Sequence, residues 1–378
     1  VAAALFSAAL ALHDSPGYGR GASFSVASGA AFGAILQRSR FCFASAFRDL
    51  FLLRDRRAAL GVLAALAAGS LGYQVVFGAW IPDPRAGYVP PTAHITPAGW
   101  HLLLGGGAFG LGMVLAGGCI SGQLYRLGEG ALTAPVALLG ASFGFWLGFA
   151  AWNPLYVSAV SAAPVVWLPA PLGFAGSLLV QLAALALLAA WLLRRLPAPP
   201  PRPPEAMTLG VAWRRIATDG WPAWAGGLAV GVLATFTFLR TTPLGVTSEL
   251  SRVARSAGSA LSLVPSRLEG LDLLAGCRPA ATGRAIGDNG LFVLALVLGS
   301  CSAALLAGEF RVRLGRPRAH IMALAGGVLL GFGAMISLGC TVGTLLSGVM
   351  AFSLSGWLFL AGLLGGSRLG VAALRRLA

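Results

Sequence analysis

A chain of 378 residues that is 57% hydrophobic and only 10% charged, at a mean hydropathy of +0.80, carries more apolar side chain than one water-soluble core can hide. That excludes an ordinary soluble domain and makes the chain an all-α integral membrane protein. Its net charge of +15 rests on 27 basic residues, all arginine; spread over short loops between apolar stretches, they read as orientation signals and exclude a nucleic-acid surface.

In chain order, apolar segments are predicted at 1–12, 21–36, 58–80, 100–118, 131–151, 172–193, 223–239, 287–307, 319–338 and 353–374. A helix needs roughly 20 apolar residues to cross the bilayer core, so several of these are full spans. Segment 1–12 lacks the basic flank of a cleavable leader and reads as a short first span or remnant. Trp80, Trp100, Trp152, Trp191, Trp221 and Trp357 stand near the ends of apolar runs, as an interfacial belt would.

Between the halves lies PAPPPRPPEA, flanked by Arg194, Arg195, Arg214 and Arg215. Proline makes 194–222 an extended linker, and its arginines put it in the cytoplasm. It divides the chain into a membrane repeat at 1–193 and a second at 223–378. Arg48, Arg54, Arg56, Arg57, the run Arg311 to Arg318, and Arg368, Arg375 and Arg376 place those loops and the C-terminus on the same side. The nearly uncharged loops 81–99 and 152–171 then face outward. The stretch 241–285, with Arg252, Arg255, Arg267, Arg278 and Arg284, is expected outside, either re-entrant or as a cap.

Residues 105–124 read GGGAFGLGMVLAGGCISGQL and residues 326–345 read GGVLLGFGAMISLGCTVGTL. At a constant separation of 221, Gly105, Gly106, Gly110, Gly112, Gly118, Cys119, Gly122 and Leu124 fall on Gly326, Gly327, Gly331, Gly333, Gly339, Cys340, Gly343 and Leu345. A shared cysteine inside a shared glycine frame marks a duplication. Threading gives five segments per half, and an odd number turns the second copy upside down, with broken or re-entrant helices meeting near the midplane.

Each copy reads G-C-x-x-G at the end of a glycine-spaced helix. Glycine lets the backbone leave helical geometry, and N–H groups at a fresh helix start favour an anion. Gly118, Gly122, Gly339 and Gly343 are therefore candidate site residues beside Cys119 and Cys340. Cysteine also serves as a small apolar residue in glycine-packed interfaces, but its recurrence in both copies favours a site. Cys42, in Gln37-Arg38-Ser39-Arg40-Phe41-Cys42, is a third candidate; its arginines would equally suit lipid headgroups. The corresponding PLGVTSELSR of the second half has no thiol.

Cys277 and Cys301 lack the glycine frame and read as bland. His13, His94, His101 and His320 read as interfacial. Glu129 is expected to pair locally with Arg126. Five cysteines without a C-x-x-C pair give neither a disulfide framework nor a structural zinc site.

On QRSRFCF around Cys42, LAGGCISGQLYR around Cys119, PLGVTSELSR, and GFGAMISLGCTVGTLLSG around Cys340, the chain resembles the YeeE/YedE family of membrane sulfur-compound transporters. The resemblance implies a multi-pass inner-membrane protein that imports thiosulfate without enzymatic chemistry or a cofactor. It implies that Cys42, Cys119 and Cys340, as neutral thiols, hand the anion along a central path. Such weak donors would hold a soft dianion loosely enough to release it. A separate cytoplasmic TusA-like sulfur-carrier protein would then accept the sulfur at the arginine-rich inner loops. The chain departs from the family in Thr341, where members often carry Asn, and in the long 252–285 stretch, which leaves another reduced sulfur or selenium species open. Two rivals stand beside this reading: a membrane sulfurtransferase forming a persulfide on Cys42 near Arg38 and Arg40, and a channel-like scaffold whose glycines only pack helices.

Overall fold

The computed structural model describes residues 2–13, 19–90, 92–194, 218–271 and 286–377. Most of the expected linker, and Cys277, Arg278 and Arg284, lie outside the described residues. The helices, in order, are α1 (Ala2–His13), α2 (Gly19–Ser39), α3 (Phe43–Leu52), α4 (Arg57–Trp80), α5 (Trp100–Ala116), α6 (Ile120–Gly128), α7 (Thr133–Leu155) and α8 (Pro169–Leu193). The second half holds α9 (Ala223–Arg240), α10 (Thr247–Ala260), α11 (Asp288–Leu306), α12 (Pro317–Ile336), α13 (a π-helical stretch, Thr341–Ser347, running on through Gly348–Met350) and α14 (Leu354–Leu377).

Among the described residues, eight helices are long and apolar enough to cross a membrane, α5 and α6 counting together as one. The chain is thus a multi-pass, all-α membrane protein. Two expected segments are not among the eight. Helix α1 has only 12 residues. Helix α2 has 21, but Ser25, Ser28, Gln37, Arg38 and Ser39 dilute its apolar character and are buried within the protein. Helices α3 and α10, with 10 and 14 residues, reach only about 15 and 21 Å at 1.5 Å per residue, short of the roughly 30 Å hydrocarbon core.

The two halves interlock. Helix α2 lies against α11, α4 against α9, α7 against α12, and α5 against both α14 and α12. Glycines set these approaches, because a backbone without Cβ lets another backbone come close. Gly29 and Gly33 of α2 face the carbonyls of Phe292 and Leu296; Gly227 and Gly231 of α9 face those of Gly61 and Ala65. Gly106 and Gly110 of α5 face the carbonyls of Phe359 and Leu363, while their partners in the repeat, Gly327 and Gly331, face Ala137 and Ala141. Between the duplicated helices, Gly105 meets Gly333 and Gly112 meets Gly326. An early residue of one helix thus meets a late residue of the other, so α5 and α12 run antiparallel.

The described part of 241–285 covers the end of α7. Trp146 Nε1 donates to the Ala254 carbonyl at 2.6 Å and Trp152 Nε1 to that of Glu269 at 2.9 Å, while Asn153 bridges Arg267 and Glu269. Trp152 is therefore fully buried and no part of an interfacial belt, unlike exposed Trp80, Trp100 and Trp191. Its indole N–H finds a carbonyl instead of water.

Candidate functional site

Cys42, Cys119 and Cys340 each occupy the N-cap of a short helix, α3, α6 and α13, with extended backbone. Val246 caps the fourth such helix, α10. After α5 and α12 the chain turns left-handed two residues before each cysteine, at Gly117 (φ 73°) and Leu338 (φ 57°), which share the separation of 221. Glycine adopts it freely, whereas leucine pays roughly 1–2 kcal/mol. The break is then tied off from below. Gln123 Nε2 reaches back to the Ala116 carbonyl at 2.8 Å, and Thr344 Oγ1, its partner in the repeat, to that of Ser337 at 3.3 Å. A side chain on Gly118 would press on the Gln123 amide and one on Gly339 on the Thr344 hydroxyl, so both glycines keep these closures possible.

The three thiols are buried and lie along one line of contacts. Cys42 and Cys119 are hydrogen-bond partners. Gly122 backs onto both: a Cβ there would stand 3.0 Å from Cys42 Sγ and 3.5 Å from Cys119 Sγ. Cys119 Sγ also lies 3.3 Å from Ser121 Oγ and contacts the Thr341 hydroxyl from the other half. Thr341 adjoins Cys340, whose sulfur faces the Thr247 hydroxyl and the N–H groups of Val246, Val342 and Gly343. The order is Cys42, Cys119, Thr341, Cys340, Thr247. Cys301, in α11, is outside this line.

Next to Thr247, Ser248 lines a cavity of about 720 Å³, together with Arg240, Leu244, Glu249, Arg252 and Asp288 among others. The Leu244 carbonyl accepts from Ser347 Oγ of α13 at 3.3 Å, so the cavity floor rests on the Cys340 helix. Its two arginines are matched by Glu249 and Asp288 in the first turns of α10 and α11, and Arg252 pairs with Glu249 at 2.5 Å, so the chamber is polar with balanced charge.

On the Cys42 side the line is closed. Gln37 Nε2 donates to Glu309 at 2.7 Å and to Glu129 at 3.4 Å. Arg40 pairs with both carboxylates at 3.1 Å, and Arg38 lies 3.6 Å from Glu309 while donating to the Asp219 carbonyl. The expected Arg126–Glu129 pair is replaced: Arg126 donates to the Gly117 carbonyl at 2.8 Å, at the break of α5, and Glu129 turns to Arg40. Partial burial works against the Glu309 carboxylate, yet the Gln37 amide and the Arg40 and Arg38 charges outweigh it and hold its pKa below the ordinary value.

Sequence reasoning missed Thr341, Thr247, Gln37 and Glu309. Thr341 could have been found, since it follows a candidate cysteine directly. Glu309 could not, because nothing local ties it to residue 37.

A family model described as sulphur transport matches residues 38–369. A thiosulfate transporter, TsuA, of Spirochaeta thermophila is 30% identical over 343 residues, which cover 86% of this chain and 91% of the relative. TsuA of Escherichia coli is 26% identical over 343 residues, 87% of this chain and 88% of the relative. A probable transporter, YedE, of Salmonella typhimurium is 36% identical over 102 residues, only 27% of this chain and 23% of the relative.

Proposed function

The chain belongs to the sulphur-transport family, and we propose that it imports thiosulfate across the inner membrane along the line Cys42, Cys119, Thr341 and Cys340. The observation that carries this reading is the run of buried thiols and hydroxyls, drawn from both halves of the chain and leading toward a polar cavity. The names of two relatives that match nearly end to end supply the substrate.

In this reading the cavity gathers the dianion from outside, and helix-start N–H groups offset its charge. Neutral S–H and O–H donors then hold it weakly at successive stops, because conduction needs sites that release as readily as they bind. The two halves act as inverted repeats, a relation supported by the antiparallel run of α5 and α12 and by the recurring glycine contacts. Gly118, Gly122, Gly339 and Gly343 shape the turns. The linker and C-terminus lie in the cytoplasm, where a TusA-like carrier takes the product. Transport of another reduced sulfur or selenium species remains the alternative substrate reading. The sulfurtransferase reading is disfavoured by Arg38 and Arg40, which are engaged by Glu129, Glu309 and the Asp219 carbonyl instead of serving Cys42.

The test is growth on thiosulfate as sole sulfur source, in a bacterium stripped of sulfate and thiosulfate uptake. The expected result is growth with this chain and failure with Cys42→Ala, Cys119→Ala or Cys340→Ala. Growth with all three variants refutes the thiol path. A stable mass gain of one sulfur on Cys42 after thiosulfate exposure would favour the enzyme instead.

A further inference from the structure

The second half lacks a thiol where the first has Cys42: helix α3 starts from Cys42 and helix α10 from Val246. The space is nonetheless filled. A Cβ on Gly122 would stand 3.0 Å from Cys42 Sγ, and one on Gly343, its partner in the repeat, 3.1 Å from Cε1 and 3.2 Å from Nε2 of His94. We infer that His94 contacts the substrate on the transport path, standing at the Cys340 turn where Cys42 stands at the Cys119 turn. This rests on the thiosulfate reading.

His94 comes from the connection between α4 and α5, a place where backbone normally stays on the surface. Here Ala93, Ile95, Thr96 and Pro97 are buried. The segment closes its own hydrogen bonds, Ala93 N to the Pro90 carbonyl, Ile95 N to that of Ala93 and Ala98 N to that of Pro164. A buried loop has to do this. The His94 carbonyl in turn sits against Gly348, 3.2 Å from where its Cβ would be. The loop therefore enters the protein to place one imidazole against α13.

That imidazole is incompletely satisfied. Among the described residues, His94 Nδ1 and Thr96 Oγ1 are buried without a hydrogen-bond partner. Such an atom is costly unless something completes it, and a buried orphan calls for an explanation. A passing oxyanion supplies one. Burial also holds the His94 pKa down to about 4, so the ring is neutral at pH 7. A neutral ring donates one N–H without a fixed charge that would trap a dianion. Its hard N–H donor suits the sulfonate oxygens of thiosulfate, as the thiols suit the terminal sulfur.

The experiment measures concentration-dependent uptake of labelled thiosulfate into proteoliposomes holding the full chain, as wild type, His94→Ala, His94→Asn and His94→Phe. Asn keeps an N–H donor near the position; Ala and Phe do not. The expected result is a KM raised about tenfold or more in His94→Ala, equivalent to about 1.4 kcal/mol, with His94→Asn within about threefold of wild type. Wild-type KM in His94→Ala, or equal impairment in His94→Asn and His94→Ala when all elute as monodisperse protein, overturns the proposal. If His94→Ala does not fold, uptake by Asn and none by Phe carries it, and equal uptake by the two overturns it. Wild-type vesicles that take up no thiosulfate would sink the transport reading itself, and this inference with it.

Discussion

Replacing Gly122 by alanine places one methyl group between the two sulfurs that lead the proposed path. Gly122 lies in helix α6 with no left-handed requirement, so helix propensity alone favours alanine by about 0.5–1 kcal/mol. Against this, the new carbon would sit 3.0 Å from Cys42 Sγ and 3.5 Å from Cys119 Sγ. Ordinary contact lies at about 3.5–4.0 Å, so the Cys42 thiol must retreat by roughly half an ångström or more. Overpacking of this kind costs about 1–3 kcal/mol, which leaves a net loss of roughly 0–2.5 kcal/mol in stability. The expected effect on transport is larger, because the methyl would fill ground on the proposed path; a barrier raised by 1.4 kcal/mol already slows uptake about tenfold. Gly78→Ala is the control, since a Cβ there meets nothing within 4 Å. Uptake of labelled thiosulfate and thermal unfolding in detergent are read side by side. Wild-type uptake by Gly122→Ala at equal expression would refute the claim that ions pass between these thiols.

Glu129 is 2% exposed and its partner Arg40 is 50% exposed. Glu129→Gln should therefore destabilise by more than the 0–1 kcal/mol typical of a surface pair and by less than the 3–5 kcal/mol of a fully buried one, since Arg40 can rehydrate; an unchanged Tm would show that the closed end does not depend on this pair. For Glu309 the folded pKa lies below the ordinary 4.5. Its contribution is fully present above that value and lost as pH falls through the folded one. The Tm gap between wild type and Glu309→Gln should accordingly narrow as pH drops from 6 toward 3.5, and a gap independent of pH would contradict the network.

The local geometry of the candidate site was largely legible in the sequence. The broken helices were announced by the glycines, and Cys42, Cys119 and Cys340 do begin the helices that follow. Such signals are local: a left-handed turn needs a permissive residue, and a new helix start follows it within two or three positions. Gly117 made the first break readable, whereas the second break, at Leu338, shows in the sequence only through its likeness to the first.

By itself the sequence determined the membrane class, the recurring glycine–cysteine spacing and the positions of the cysteines, because composition and repeated spacing need no partner to be read. Only tertiary structure decided who meets whom. It set Thr341 between Cys119 and Cys340, gave Glu129 to Arg40 in place of Arg126, buried Trp152 under the 261–271 segment, and drew His94 inward from a loop expected to face outward. Those outcomes depend on the register between helices. That register is fixed where glycine of one helix receives the carbonyl of another, as Gly112 receives Gly326, and neither sequence partner states it alone.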